Sequence, residues 1–262
     1  PENYALKIAL NGTYGKSNDK YSTLYDPKFT MNITVSGQLL LCKLAEMLMG
    51  VGAKIVYLNT DGLTYKIRRD KADLSRKVCR KFENVTNLAL EEAIFDKMYL
   101  RDVNSFLFVT EDGGIKRKGA YEYSGLDWNK NHSALVIPMA VEHELLSRGS
   151  AEDFIRNHED KFDFMLRTKV PRSSRLVMKM EDGSEVLQQN ICRYYPSENG
   201  GKLIKIMPPI KKKGTLFWEH DTGDVAVSYT PKEADSLRKK GYDEVDIVFE
   251  QAINRPVYLE LM

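Results

Sequence analysis

Two apolar runs and the polar tip between them, Lys54-Ile55-Val56-Tyr57-Leu58-Asn59-Thr60-Asp61-Gly62-Leu63-Thr64-Tyr65-Lys66-Ile67, decide the fold of this chain. Ile, Val, Tyr and Thr favour strands, and an Asp-Gly pair supplies the positive-φ geometry of tight turns, so the stretch predicts a β-hairpin. A carboxylate at the end of such a rigid element can bind a hard cation such as Mg²⁺. The alternative is an ordinary surface turn, because Asp-Gly is a common hairpin signal.

A second informative stretch lies near the start of the sequence, Lys7-Ile8-Ala9-Leu10-Asn11-Gly12-Thr13-Tyr14-Gly15-Lys16. On a helix, Lys7, Asn11 and Tyr14 line one face, and this face suits a nucleotide because lysine binds phosphate and tyrosine can stack on a base. Its two glycines weaken a helix by about 1 kcal/mol each, which suggests that another surface approaches closely. The alternative is a frayed helix with a solvated lysine and a C-cap glycine.

Periodicity and turn residues predict the elements around the hairpin. An apolar stripe from Thr34 to about Met49, stopped by Gly50 and Gly52, predicts a helix that backs the hairpin. The side chains expected in its core-facing stripe are Leu40, Leu41, Leu44, Ala45, Met47 and Leu48. A second helix is predicted at about 71–82, and strand character returns from 88 to 98. Within that strand, Glu91-Glu92 is interpreted either as a solvated face or as lying near metal ions.

The rest of the chain mixes strands and helices. Residues 102–109 and 115–121 predict a hairpin. A helix with Pro138 in its first turn is expected to run to about Ser147, with Ser150 capping the next. Turn dipeptides predict one hairpin from strands 175–180 and 185–189, and another from strands 192–195 and 203–206 around Ser197-Glu198-Asn199-Gly200-Gly201. A last helix is predicted from Thr230 to Gly241.

Composition sets broad limits on the protein. At 262 residues and 42% hydrophobic content, the chain can bury one large core or two smaller ones. A net charge of +2 is too small to diagnose nucleic-acid binding, so a basic surface would require local clustering.

Cys42, Cys79 and Cys192 have neither pairing nor metal-binding spacing, and we expect reduced thiols in a cytoplasmic protein. We expect no signal peptide, no apolar run long enough to span a bilayer and no membrane partner. The sequence begins at Pro1, so we expect its start to be processed, trimmed or distinct from the start of the gene.

The pattern Lys7-x-x-x-Asn11-Gly12-x-Tyr14-Gly15, followed by a strand-turn-strand carrying Asn59-Thr60-Asp61-Gly62, resembles the family B DNA polymerases, particularly those of bacteriophages. The first segment is similar to their fingers helix, and the second to their palm turn, which is usually Asp-Thr-Asp-Ser. Between them, Thr34-x-x-Gly37-Gln38 matches the family's pattern at the start of the palm helix. The resemblance covers nearly the whole chain but only the C-terminal part of a complete enzyme.

The resemblance implies an α+β fold, with an antiparallel palm-type sheet backed by helices and then a mixed helix/strand thumb. It implies the end of the fingers helix at 1–20, the palm at 21–127 and the thumb, which holds the product duplex, at 128–262. Lys211-Lys212-Lys213 in the thumb is a candidate phosphate contact, although such a run is more often solvated.

The resemblance also implies two-metal phosphoryl transfer during DNA replication, with Lys7, Asn11 and Tyr14 binding the deoxynucleoside triphosphate. Asp61 matches the essential second aspartate of the palm turn and is the implied catalytic residue and Mg²⁺ ligand. Asn59 stands where the family usually has another aspartate; an amide brings no charge, so we assign Asn59 and Thr60 a turn-orienting role. Two Mg²⁺ ions are implied, with a second aspartate ligand outside this sequence.

Primer-template DNA is implied to contact residues 104–119. Three cations in a row, Lys116-Arg117-Lys118, can neutralise a phosphate backbone, and Gly119 lets the backbone approach closely. Lys116, Lys118 and Gly119 match the family's Lys-x-Lys-Gly-like strand. Asn104-Ser105-Phe106 occupies the place of a Lys-x-Tyr segment, so Asn104 and Phe106 are assigned DNA contacts by position. The alternative for the lysine run is a solvated edge that protects the sheet.

The metal-binding motif that precedes the fingers helix in this family, Asp-x-x-Ser-Leu-Tyr-Pro-like, is absent. Ser22-Thr23-Leu24-Tyr25-Asp26-Pro27 follows the helix and lacks the leading acid, so we reject it as that motif. We therefore expect a split enzyme in the cytoplasm of an infected bacterial host, with an N-terminal polymerase/exonuclease polypeptide as its partner. The alternative is a polymerase-derived nucleic-acid-binding or assembly subunit without catalysis.

Overall fold

The computed structural model describes residues 2–124, 133–207, 216–220, 223–229, 231–241 and 253–262. Two compact units divide the chain at residue 94: unit 1 comprises Pro1–Ile94 and unit 2 comprises Phe95–Met262. Helices make up 42% and strands 28% of the structure, and all strand pairs among the described residues are antiparallel, so the predicted α+β class is confirmed. The predicted boundary between palm and thumb, at 127/128, lies outside the described residues.

The helices, in chain order, are α1 (Glu2–Ser17), α2 (Pro27–Gly50), α3 (Ala72–Thr86), α4 (Val136–Leu145), α5 (Ala151–Asn157), α6 (Pro231–Arg238) and α7 (Arg255–Glu260). The strands are β1 (Lys54–Leu58), β2 (Leu63–Lys66), β3 (Phe95–Asp102), β4 (Ser105–Thr110), β5 (Ile115–Lys118), β6 (Leu166–Lys169), β7 (Arg175–Lys179), β8 (Glu185–Gln188), β9 (Ile191–Met207), β10 (Leu216–Glu219) and β11 (Val225–Ser228).

Unit 1 is built around the predicted hairpin. Strands β1 and β2 pair with Lys54 opposite Lys66 and Leu58 opposite Leu63. Leu44 and Leu48 of α2 are buried against the apolar side of the hairpin, together with Phe82 of α3. The prediction that the α2 stripe backs the hairpin is therefore confirmed, and the stripe is core.

The turn of the hairpin differs from the prediction. Neither Asp61 nor Gly62 has a positive φ, so the predicted Asp-Gly turn geometry is wrong. The side-chain oxygen of Asn59 instead accepts hydrogen bonds from the backbone N–H groups of Asp61 and Gly62. An asparagine side chain can thus close a turn that the backbone alone would close with left-handed residues.

Helix α2 begins seven residues earlier than the apolar stripe indicates. The Asp26 side chain accepts a hydrogen bond from the N–H of Phe29 at 3.1 Å, and Pro27 occupies the first turn. Both are local helix-start signals, which explains the correction from Thr34. The predicted end is right, since α2 stops at Gly50 and Gly52 has a φ of +91°.

With 24 residues, α2 is long and apolar enough to cross a membrane by length and composition. The expectation that no apolar run has this length is therefore wrong. A single helix of this kind is weak evidence for a membrane span, because the core helices of other proteins satisfy the same criterion. Such core helices are mostly buried, whereas only 17% of the most apolar 18-residue segment of α2 is buried inside the structure.

Helix α3 confirms the prediction for 71–82 and continues four residues further, to a C-cap at Asn87 with a φ of +56°. The predicted strand from 88 starts only at Phe95, where β3 begins. Glu92, before that strand, forms an exposed ion pair with Arg76 at 3.3 Å.

In unit 2, strands β3, β4 and β5 form a three-stranded sheet, which confirms the hairpin predicted from 102–109 and 115–121. Helix α4 runs from Val136 to Leu145, so Pro138 lies in its first turn as predicted, and the helix ends two residues before the predicted Ser147. Ser150 caps α5 by accepting from the N–H of Asp153 at 3.1 Å, as predicted.

Strand β9 corrects another prediction. Residues 191–207 form one continuous strand in place of a hairpin around Ser197-Glu198-Asn199-Gly200-Gly201. Its first half pairs with β6 and β11, and its second half pairs with β7 and β10. A Cβ on Gly200 would collide with the backbone of Val225, and one on Gly201 would lie 2.7 Å from the carbonyl oxygen of Lys179. The two glycines therefore serve close approach between strands, and they form no turn.

The last predicted helix corresponds to α6, and Gly241 follows it with a φ of +85°. The predicted start at Thr230 and the lysines Lys211-Lys212-Lys213 lie outside the described residues. Helix α7 had no counterpart in the sequence predictions; its Tyr258 is fully buried and donates a hydrogen bond to the carbonyl of Phe164.

Candidate functional site

The hairpin tip in unit 1 presents Asp61 on a turn that is held by Asn59. The Asn59 Oδ1 atom accepts from the N–H of Asp61 at 3.1 Å and from the N–H of Gly62 at 2.7 Å, and the Asn59 N–H donates to the carbonyl of Gly62 at 3.0 Å. Asp61 and Thr60 are exposed. The side-chain amide of Asn59 therefore stabilises the turn, and the Asp61 carboxylate is the charged group at its tip.

This arrangement fits one oxygen ligand for a hard cation, because an exposed carboxylate on a short strand end can reach an ion without rearrangement. Within the described ranges, no group of three or more His, Cys, Asp or Glu side chains could hold a metal ion. Asp61 supplies a single carboxylate. The residues present thus fit part of a two-ion centre.

Helix α1 carries the predicted nucleotide-binding face. Lys7, Asn11 and Tyr14 lie on one side of the helix by their spacing, and all three are exposed. Within the described residues, no hydrogen bond or ion pair joins Lys7 or Asn11 to Asp61. A Cβ on Gly12 or Gly15 would meet nothing within 4 Å. No described surface approaches these glycines, so the close approach expected there stays a prediction about another molecule.

Tyr14 differs from the other two residues because the structure ties it to α2. Its hydroxyl lies 3.0 Å from the hydroxyl of Thr34. Its backbone carbonyl accepts a hydrogen bond from Ser17, whose own oxygen lies 2.6 Å from the hydroxyl of Thr30. Sequence reasoning named Thr34 as part of a motif but gave it no site role, since nothing in the sequence indicates which side chain it meets.

The basic strand β5 in unit 2 divides its three cations between the two faces of the sheet. Lys116 lies opposite Phe108 and Lys118 opposite Phe106, whereas Arg117 lies opposite Leu107. Side chains alternate along a strand, so Lys116 and Lys118 share one face and Arg117 points to the other. Both lysines are exposed. Only two of the three predicted cations are therefore presented together.

The same sheet determines the burial of two more residues that are predicted to contact DNA, Phe106 and Asn104. Phe106 is only 8% exposed, its ring stacks on Phe108 at 4.2 Å, and the Lys118 ammonium lies 5.8 Å from it. Asn104 is exposed, and its N–H donates to Asp102 at 2.8 Å. Phe106 is therefore mainly packed within the sheet, whereas Asn104 lies on the surface.

Gly119 follows the basic strand with a φ of +63°. A Cβ there would collide with the backbone carbonyl of Asn104 and lie 2.7 Å from the hydroxyl of Ser105. The close backbone approach at Gly119 thus takes place within the chain itself, which explains the glycine without a ligand.

Arg117 is held on the opposite face by a buried carboxylate that sequence reasoning missed. Its Nη2 atom donates to Glu142 of α4 at 2.7 Å and to the Tyr123 hydroxyl at 3.0 Å. Glu142 is 2% exposed. Burial raises the pKa of the Glu142 carboxyl, but hydrogen bonds from Arg117 and Tyr123 outweigh it and hold that pKa below its ordinary value. Arg117 is thus a structural ion-pair partner, and no sequence signal linked it to a residue 25 positions away.

No protein-family model matches this sequence, and no curated protein matches it significantly.

Proposed function

We propose that this chain is the C-terminal palm and thumb portion of a template-directed DNA polymerase, which adds deoxynucleotides to a primer 3′ end by two-metal phosphoryl transfer. The observation that carries the proposal is the order of two exposed features. A helix bearing Lys7, Asn11 and Tyr14 on one side is followed by a hairpin whose tip holds Asp61 on an asparagine-closed turn. Residues 1–20 would end the fingers helix, 21–127 would form the palm and 128–262 the thumb.

Each residue has a defined role in this proposal. The ammonium of Lys7 attracts the triphosphate, Asn11 hydrogen-bonds to the nucleotide, and the ring of Tyr14 lies against it. Asp61 would hold Mg²⁺, and Asn59 orients Asp61. Bound there, Mg²⁺ would supply the positive charge that activates a primer 3′-hydroxyl and stabilises a phosphoryl group in transfer.

The exposed apolar surface of α1 supports a partner chain. Residues 3–16 of this helix are all exposed, among them Tyr4 at 71%, Leu6 at 61% and Leu10 at 70%. Large apolar side chains like these are normally buried against another surface, and an isolated 16-residue helix is marginal in water. The partner we propose is a polypeptide that carries the exonuclease and the Asp-x-x-Ser-Leu-Tyr-Pro-like motif, bound through an apolar interface of over about 2,000 Å².

Reconstitution tests this proposal. The purified chain alone should extend no primer, because one carboxylate cannot position two cations, and addition of the partner polypeptide should restore Mg²⁺-dependent extension of a primed template. The measurement is incorporation of deoxynucleotides on a primer-template in both preparations. Robust extension by the chain alone would contradict the split-enzyme proposal, and no extension by the mixture would contradict the assignment of catalysis.

A polymerase-derived nucleic-acid-binding subunit without catalysis is the second candidate. The observation that favours it is the use of Asn59, whose uncharged amide closes the turn where the family usually has a metal-binding aspartate. DNA binding by the mixture without any nucleotide addition would select this candidate.

The two-sided arrangement of β5 predicts which cations contribute to DNA binding. Replacing Lys118 with alanine should lower the slope of log K against log salt by about 0.9, because one phosphate contact is lost. Lys97 lies opposite Val109 in the register, on the side of the sheet that carries Arg117, so Lys97→Ala is a matched control with no expected change. Fluorescence anisotropy with a primed duplex at several salt concentrations measures both slopes. Equal slopes for the two variants would refute a DNA-binding role for the exposed face of β5.

A further inference from the structure

The junction between α1 and α2 contains four hydroxyl groups whose hydrogen bonds have a definite direction. A threonine hydroxyl has one proton to donate and can still accept. Thr34 donates to the carbonyl of Thr30 at 2.9 Å, so in its 3.0 Å contact with Tyr14 it must accept. The Tyr14 phenol is therefore the donor.

The second set of hydrogen bonds at this junction runs in the opposite direction, from α2 to α1. Ser17 donates to the carbonyl of Tyr14 at 2.7 Å, so in its 2.6 Å contact with Thr30 it accepts. Thr30 donates in this short contact in preference to the longer 3.4 Å contact with the carbonyl of Asp26. Tyr14 and Thr30 are thus joined twice, once through Thr34 and once through Ser17. Ser17 is buried, with 2% exposure, and it anchors this junction at the end of α1.

From this network we infer that Thr34 is a positioning residue for the nucleotide-binding face of α1. Its hydroxyl accepts a hydrogen bond from the Tyr14 phenol and so holds the ring in a position set by α2. Within the part of the chain that the structure describes, no hydrogen bond or ion pair joins Lys7 or Asn11 to α2. The orientation of the aromatic ring is therefore the part of this face that α2 controls. The inference rests on the proposed function, since it assumes that Tyr14 lies against a nucleotide.

Substitutions that remove single hydroxyls test this role. Thr34→Val removes the acceptor of the hydrogen bond and Tyr14→Phe removes its donor, each with little change in side-chain shape. Each substitution should weaken binding of a Mg²⁺–deoxynucleoside triphosphate by about fivefold, which corresponds to the free energy of one hydrogen bond. The double variant should be no weaker than either single variant, because both remove the same bond. Thr34→Ser keeps the acceptor and should restore wild-type affinity.

Thr13→Val is the matched control. Thr13 lies on α1 and donates to the carbonyl of Ala9 at 3.0 Å, as Thr34 does to Thr30 on α2, but among the described residues its hydroxyl forms no hydrogen bond with another helix. Its replacement should leave nucleotide affinity unchanged. Lys7→Ala, which removes the phosphate partner, should weaken binding of all four deoxynucleotides.

Titration of the full 262-residue chain with fluorescent deoxynucleoside triphosphates in Mg²⁺ gives these affinities, and urea unfolding of each variant checks that stability is comparable. Equal affinities for Thr34→Val and Thr13→Val, or additive losses in the double variant, would overturn the positioning role and leave the proposed function intact. Failure of the wild-type chain to bind any deoxynucleotide would instead overturn the assignment of the α1 face, and the positioning role with it.

Discussion

Replacing Asp61 with asparagine should reduce nucleotide addition by the reconstituted enzyme by at least about a hundredfold. An amide cannot offset the charge of a divalent cation beside a triphosphate, and electrostatic groups of this kind carry a large part of phosphoryl-transfer catalysis. Folding and duplex binding should be largely unchanged, since the Asp61 side chain is exposed and its backbone N–H still bonds to Asn59. Primer extension and DNA-binding titrations measure the two effects.

Two substitutions of Asn59 serve as controls for this result. Asn59→Asp keeps an oxygen that can accept from the N–H groups of Asp61 and Gly62, so the turn should persist and activity should be retained or increased. Asn59→Ala removes that acceptor but no charge, and it should cost less activity than Asp61→Asn. Small and equal losses from Asn59→Ala and Asp61→Asn would rule out Asp61 as the metal ligand.

The second large effect concerns stability. Arg117→Ala should destabilise unit 2 by about 3–5 kcal/mol, because it leaves the carboxylate of Glu142, which is 2% exposed, without its main partner. The double substitution Arg117→Met with Glu142→Leu removes both charges and should be far closer to wild type. Both tryptophans, Trp128 and Trp218, fall within unit 2 in the sequence, so their fluorescence during urea unfolding reports on this unit.

The same ion pair sets a dependence on pH. Because the pKa of Glu142 is lower in the folded protein than its ordinary value of 4.5, its ionisation stabilises the fold above pH 4.5. That contribution is lost as the pH falls through the lower folded-state pKa. Acid titration of stability should therefore show a component in the wild type that the double variant lacks. An equally steep acid response in the double variant would show that other carboxylates dominate.

The ion pair also explains why only two of the three cations of the basic strand are exposed on one face of the sheet. Anchoring Arg117 to α4 fixes β5 against the helix on one side, and the alternation of the strand then turns both Lys116 and Lys118 to the other. Counting the cations in the sequence predicts three phosphate contacts, whereas the structure leaves two of them exposed on a common face.

Local chemistry was enough to predict several elements from the sequence alone. The hairpin at 54–67, the end of α2 at Gly50 and the Ser150 cap of α5 each depend on residues a few positions apart, so the sequence determined them. The pattern of Lys7, Asn11 and Tyr14 on one helical face follows from periodicity in the same way. The start of α2 was also encoded locally, by Asp26 and Pro27, although the apolar stripe alone placed it too late.

Only the tertiary structure decided the features that depend on distant neighbours. Asn199-Gly200-Gly201 has the composition of a turn, yet β9 continues through it because β11 and β7 pair with the strand on either side. Glycine is needed there because the backbones of Val225 and Lys179 lie too close for a side chain. From the sequence alone, Arg117 is predicted to contact phosphate. The folded chain instead pairs it with Glu142, which is 25 residues away in the sequence. The hydroxyl of Tyr14 likewise acquires its acceptor only when α2 places Thr34 next to it, because a hydrogen bond between helices depends on their packing and leaves no periodic trace in the sequence.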